Sequence, residues 1–189
     1  MRIVLIGPHS AGKSTLGRRL AEALGCPFDD ELGAALRAEA LAIDPAAHAM
    51  APQSAFDRRV IEAELRRDAL APAAARRVIE TWHPGNLAYA ATRSPEVFAA
   101  LWPCVAAALA PAAGTVLVQP LTIARATALA RLREPGPTPD ALVAYFDEVG
   151  LLATTLARRL GLRVLPSLAT DATPVDALVE AVRRAVDRR

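Results

Sequence analysis

Two periods of apolar residues alternate along this chain. Short apolar or β-branched runs at Ile3–Ile6, Cys26–Asp29, Arg77–Glu80, Thr115–Gln119 and Arg163–Leu165 read as strands. Between them lie stretches with helical spacing. Leu16, Leu20 and Leu24 recur four residues apart, and Gly25 supplies a C-cap. Further helices are expected over Leu32–Ile43 and Thr122–Arg133. Another begins at Ser54, with Asp57 completing a capping box and Phe56, Val60, Ile61 and Leu65 forming its apolar face. Ser94-Pro95-Glu96 opens a helix to about Ala110, kinked at Pro103. Thr138-Pro139-Asp140 opens a long helix to Leu160 that Gly161 closes, and Thr173-Pro174 starts the last one. Asp44–Pro52, Ala71–Ala75 and Glu134–Pro137 read as loops. Strands alternating with helices predict one α/β domain over residues 1–189, a five-stranded parallel sheet covered on both faces. Ligands of such sheets bind beyond the carboxyl ends of the strands.

The stretch after the first strand carries the most specific signal. Gly7 to Ser14 reads G-x-x-x-x-G-K-S between a strand and a helix, the context that makes this spacing a P-loop. The architecture thereby narrows to a three-layer α/β/α P-loop NTPase fold. Gly7, Pro8, His9, Ser10, Ala11, Gly12, Lys13, Ser14 and Thr15 are the expected nucleotide cradle. Backbone N–H groups and the helix N-terminus meet phosphate oxygens, Lys13 reaches the terminal phosphates, and Ser14 ligates Mg²⁺. Lys13 is the only lysine among 22 Lys and Arg residues. A chain so biased toward Arg keeps lysine where a compact ammonium is needed.

Composition narrows the alternatives. A net charge of +2 argues against a nucleic-acid or membrane partner. Cys26 and Cys104 are far apart and without metal-ligand spacing, as in a reducing compartment. No signal peptide and no apolar run of transmembrane length is read, so a cytoplasmic protein is expected. A homodimer stays open.

Acids follow two strands. Asp29, Asp30 and Glu31 end the second, and Glu80 ends the third where a Walker B-type acid belongs. Glu80 is assigned to Mg²⁺. Asp30 is the favoured base, with Glu31 next, and helix capping is the competing role for either. Thr81–Tyr89 is dense in aromatic and hydrogen-bonding groups. Trp82, His83, Asn86 and Tyr89 are candidate acceptor contacts, or else plugs of the core. Arg131 and Arg133 on a Pro-Gly loop form a candidate arginine lid, or a solvated helix end. Arg58 sits on a helix that can lean over the acceptor.

Together these residues resemble the P-loop nucleoside and nucleotide kinase group. GPHSAGKSTL resembles the P-loop of ribosylnicotinamide-kinase-like proteins, and ETWHPGNLAYA resembles the D-R-x-x-x-S-x-x-A-Y stretch of thymidylate kinases. LARLRE resembles their lid entry, and LATDATPVDALVEAV their last strand, adenine-side loop and final helix. The resemblance implies Asp171, Ala172 and Thr173 beside adenine. His9 replaces the acid of the thymidylate kinase P-loop, and Thr81 replaces an Arg that holds the acceptor's phosphate. LGCPFDDE is similar to shikimate-type kinases. The expected function is therefore transfer of the γ-phosphoryl of ATP, with Mg²⁺, to a small nucleoside- or nucleotide-like acceptor. The alternatives are an acceptor of shikimate type, an ATPase or switch with a protein partner, and a non-catalytic nucleotide sensor.

Overall fold

The run Arg2–Ile6 is apolar at every position after the first, and it forms the centre of the sheet. The computed structural model describes residues 1–43, 49–71, 76–133 and 136–188. Its strands are β1 (Arg2–Ile6), β2 (Phe28–Asp29), β3 (Arg77–Glu80), β4 (Val116–Thr122), β5 (Arg163–Val164) and β6 (Leu168–Ala169). Its helices are α1 (Lys13–Leu24), α2 (Leu32–Ile43), α3 (Ser54–Leu70), α4 (Trp82–Arg93), α5 (Pro95–Leu109), α6 (Arg125–Arg131), α7 (Pro139–Arg159) and α8 (Val175–Asp187). The strand order is β2-β3-β1-β4-β5, all parallel, with Leu5 opposite Glu80 on one side and Gln119 on the other.

Side-chain alternation on β1 feeds two cores. Ile3 and Leu5 join Val78 and Leu117 under α1 and α8. Val4 and Ile6 join Ile79, Val116 and Val118 under α3, α4, α5 and α7. The sheet is thus the middle of three layers, as the pattern of strands and helices predicts. Gly25 caps α1 with φ 59°, and Thr138 caps α7 by accepting the Ala141 N–H at 3.1 Å.

Several expectations are corrected. A sixth strand, β6, pairs with the end of β4 through Leu121 and Leu168. That pairing carries β4 on to Thr122, so the helix expected over Thr122–Arg133 shrinks to α6. The capping box at Ser54 does not form. The Ser54 hydroxyl donates to Glu96, while Asp57 is buried against Arg93 and Ser94. The aromatic stretch after β3 is a helix, α4. Pro95–Thr115, α5 with the 3-10 turn that follows, is 21 residues long and apolar enough by length and composition to cross a membrane. Val97, Leu101, Val105 and Leu109 form a four-residue-spaced stripe of α5 buried in the core. Of the three expected loops, positions 44–48, 72–75 and 134–135 lie outside the described residues.

Leu117 is fully buried on β4, next to the central strand, and Leu151 is 71% exposed on α7. Leu117→Ala is expected to lower unfolding stability by about 2–5 kcal/mol, because the void left in a packed layer collapses only partly. Leu151→Ala should stay within about 0.5 kcal/mol. Urea titrations of the two variants check this.

Candidate active site

Beyond the carboxyl end of β1 the chain must turn tightly, because β4 lies alongside. Gly7 has φ 147°, and a Cβ there would meet the Leu121 carbonyl oxygen at 2.5 Å. Only glycine fits. Ser10 and Gly12 also take positive φ, 64° and 76°, so the backbone curls into a concavity of amides. Gly12 is the N-cap of α1 and no side chain caps that helix, which leaves its first N–H groups available to an anion. The Lys13 ammonium, 7% exposed, donates to the Pro8 oxygen at 3.1 Å and the Gly7 oxygen at 3.3 Å.

A cavity of about 610 Å³ opens on this loop. His9, Ser10, Gly12, Lys13, Ser14 and Thr15 line its floor, with Glu80, Glu31 and Arg131 around it and Thr170 and Thr173 at its far side. Glu80 is buried at the end of β3, and the Ser14 hydroxyl nearby favours its charged form. Burial pushes its carboxyl above the ordinary range. Lys13 opposes that shift, and the neighbouring Glu31 adds to it. A buried acid of raised affinity for protons, beside a hydroxyl and a second carboxylate, is a fitting seat for a divalent cation. Among the described residues no three His, Cys, Asp or Glu side chains group as metal ligands. A hard-oxygen set of one hydroxyl and one or two carboxylates fits Mg²⁺, which keeps water and phosphate oxygens in its shell.

A second cavity of about 250 Å³ adjoins the first, and His9, Glu31 and Ala34 belong to both. Its lining includes four rings: Phe56, Tyr89, Phe146 and the His9 ring, which stacks on Phe146 with centroids 5.0 Å apart. Asn86, Asp57, Arg93 and Arg37 supply polar groups. Arg93 is buried and forks onto Asp57 through Nε at 3.0 Å and Nη2 at 2.5 Å, while its Nη1 donates to the Ala49 oxygen. Burial opposes the charge of Arg93, but the Asp57 carboxylate outweighs it and the guanidinium stays charged. Glu31 stands between the cavities. Thr81 Oγ1 donates to its Oε2 at 2.9 Å.

These positions sort the candidates. Lys13, Ser14, Glu80, Glu31, Arg131, Asn86 and Tyr89 come together at the two cavities, with the loop from Gly7 to Thr15. Asp30 does not. It is exposed and held at 2.7 Å by Arg18, outside both cavities, whereas Glu31 lines both. Asp29 points away as well, into Arg77 at 2.6 Å. Arg58 is exposed beside Glu62 and lines neither cavity. Trp82 and His83 are fully buried core residues. Asp68 Oδ2 accepts the Trp82 indole N–H at 3.1 Å and lies 3.1 Å from His83 Nε2. Burial lowers the His83 pKa against the pull of Asp68. Arg131 reaches the Ser10 oxygen at 3.4 Å, whereas Arg133 donates to carbonyls of its own turn. Thr173 faces the first cavity. Asp171 accepts from Ala124 N–H and the Thr127 hydroxyl, which fastens its loop to α6, and Ala172 lines neither cavity. In the sequence Phe56 and Asp57 show only as part of an apolar face and a helix cap, and Arg93 and Phe146 not at all, because the four lie on three helices and share no motif.

Behind the second cavity sits Glu64, 1% exposed on α3. Arg67 donates to one of its oxygens and Asn86 Nδ2 to the other at 3.3 Å. Burial outweighs both partners and lifts its pKa to about 7.

A family model described as AAA domain matches residues 2–133. No curated protein matches the chain. Among solved structures it is similar to the NadR protein in complex with NAD and AMP-PNP, at 21% identity and a TM-score of 0.62, over 97% of this chain and 48% of that one. The chain thus spans about half the length of that relative. It is also similar to deoxyadenosine kinase from M. mycoides, at 12% identity and a TM-score of 0.66 over the whole of both chains. YorR of Bacillus subtilis, in complex with phosphorylated GDP, matches at 17% identity and a TM-score of 0.60, over 99% of this chain and 96% of that one. The fold is that of the P-loop nucleoside and nucleotide kinase group.

Glu64 sets a pH dependence. Its folded pKa of about 7 lies above the ordinary 4.5, so the folded state holds the proton more tightly than the unfolded chain. Stability from this group is complete below pH 4.5 and is lost as pH rises toward 7, on the order of 3 kcal/mol from a shift between 4.5 and about 7. Wild type should therefore lose stability relative to Glu64→Gln between pH 5 and pH 8 in denaturant titrations. A difference independent of pH contradicts the assignment.

Proposed function

The chain belongs to the AAA domain family, and we propose that within it this protein is an ATP- and Mg²⁺-dependent kinase of a small hydroxyl compound, nucleoside-like in shape. One observation carries this reading: the cavity on the loop of residues 9–15 and a second cavity with aromatic side chains in its wall share a single carboxylate, Glu31. A hydrolase needs no organic pocket beside its P-loop. The second cavity is close to the lower end of the range for small-ligand sites, ~300–1,000 Å³, and has their character of apolar walls with few polar anchors.

Magnesium ATP, when bound, supplies a transferable γ-phosphoryl with part of its charge neutralised. The amides of residues 9–15 and the Lys13 ammonium stabilise charge on that group from below. Ser14 and Glu80 hold the metal. Arg131, which reaches the loop at the Ser10 oxygen, adds a second cation beside that charge. Glu31 orients the acceptor hydroxyl and takes its proton as the hydroxyl oxygen bonds to phosphorus and ADP leaves.

The acceptor cavity supports an unphosphorylated compound. Its two carboxylates, Glu31 and Asp57, balance Arg37 and Arg93, and Arg93 is already forked onto Asp57. A dianionic phosphate would meet no surplus of positive charge there. Aromatic walls on several sides suit a flat ring.

An ATP-consumption screen over nucleosides, nucleoside monophosphates and small sugar or cyclitol alcohols tests this. Turnover of a nucleoside, with little ADP formed when no acceptor is present, is expected. Lys13→Ala should lose at least about 100-fold in rate with an unchanged melting temperature. Phosphate release that is equally fast without an acceptor would overturn the kinase reading.

A further inference from the structure

β3 leaves the sheet through an unusual turn. Thr81 has φ 66° and ψ −62°, and Trp82 follows with φ 50°. Two consecutive non-glycine residues with positive φ are costly, and such strain persists only where the surroundings impose it. Here they do. The Trp82 ring is fully buried, its indole N–H is held by Asp68, and the Arg2 guanidinium lies 5.7 Å from its centroid. The Thr81 N–H donates to the Leu5 oxygen at 2.9 Å. Gly85, one turn into α4, leaves room for the Thr81 methyl, since a Cβ there would sit 2.4 Å from it.

What the strained turn achieves is the direction of one hydroxyl. Thr81 is 5% exposed, and its Oγ1 reaches across to Glu31 Oε2 at 2.9 Å. Glu31 itself stands on a loop between a two-residue strand and α2, so its own element fixes it weakly. A second contact acts on the same loop: Arg67 Nη1 donates to the Asp30 oxygen at 3.0 Å.

We propose that Thr81 is a positioning residue for Glu31, resting on the reading of Glu31 as the base of phosphoryl transfer. The Thr81 hydroxyl occupies one carboxylate oxygen and fixes the rotamer, so that the other oxygen faces the acceptor hydroxyl. The strain at Thr81 and Trp82 is the means by which the turn aims that hydroxyl. Trp82 contributes as the buried anchor of the turn and touches no substrate.

Three variants separate hydroxyl from backbone. Thr81→Ser keeps the hydroxyl and should retain kcat within about threefold. Thr81→Val keeps the shape without it and should lower kcat about 10- to 100-fold, the usual cost of removing a partner that orients a functional group, with the KM for ATP unchanged. Thr81→Gly relieves the strained φ, so its melting temperature should not fall while its kcat falls as in Thr81→Val. A readout free of any acceptor accompanies these: the side-chain carboxyl ¹³C resonance of Glu31, assigned by its loss in Glu31→Gln. It should move in Thr81→Val and stay in Thr81→Ser. An unmoved resonance in Thr81→Val, or wild-type kcat in that variant while Glu31→Gln is inactive, overturns the positioning role and leaves the kinase reading standing. Wild-type transfer by Glu31→Gln overturns Glu31 as the base and the positioning role with it.

Discussion

The parallel pairing of β1 with β3 is the constraint on which the rest depends. Its register sets Leu5 opposite Glu80, so the strand that ends in the P-loop and the strand that ends in a carboxylate stop at the same level. A slip of one residue would turn every side chain of β3 to the other face and take Glu80 from the loop. The register is held by burial on both sides, since Val78 and Ile79 feed opposite cores. With the two ends level, Gly7 lets the loop pass close over the Leu121 carbonyl, and Ser14 comes within reach of Glu80.

Around this frame the protein buries several charges and pairs them unequally. Glu80 and Glu64 sit where burial raises their affinity for protons, and cations nearby offset only part of the cost. Arg93 and Asp57 are matched by two guanidinium nitrogens and a serine hydroxyl. Buried pairs of this kind contribute little net stability, because desolvation consumes the Coulomb gain. Their effect here is geometric: they join α3 to the α4–α5 corner and shape one wall of the second cavity.

The parts legible in the sequence are those with a local cause. The loop from Gly7 to Thr15 was visible because glycine spacing, a solitary lysine and flanking elements all act within a few residues. The caps at Gly25 and Thr138 have the same character. The choice between Asp30 and Glu31 was not legible, because β2 pairs through only two residues and the alternation of side chains beyond it depends on Arg18 and Thr81. Trp82 and His83 looked like recognition groups by type, yet a helix phase set by the turn at Thr81 sends them into the core and presents Asn86 and Tyr89 instead. The expected capping box failed for a similar reason: Asp57 has a stronger partner in Arg93, 36 residues away, than in its own helix terminus. Arginine spacing at Arg131 and Arg133 could not tell which side chain faces the loop, and only Arg131 does.

On the proposed reading, residues 9–15 form a cradle for a nucleotide's phosphates, and the cavity beside it is a separate site. A titration of the labelled protein with the magnesium complex of a non-hydrolysable ATP analogue, followed by amide NMR, tests it most directly. Saturating shifts at one equivalent are expected for the amides of residues 9–15 and for Glu80, Arg131 and Thr173, with Phe56 and Arg93 little changed. Shifts confined to the aromatic cavity, or none at the amides of the loop, would contradict it.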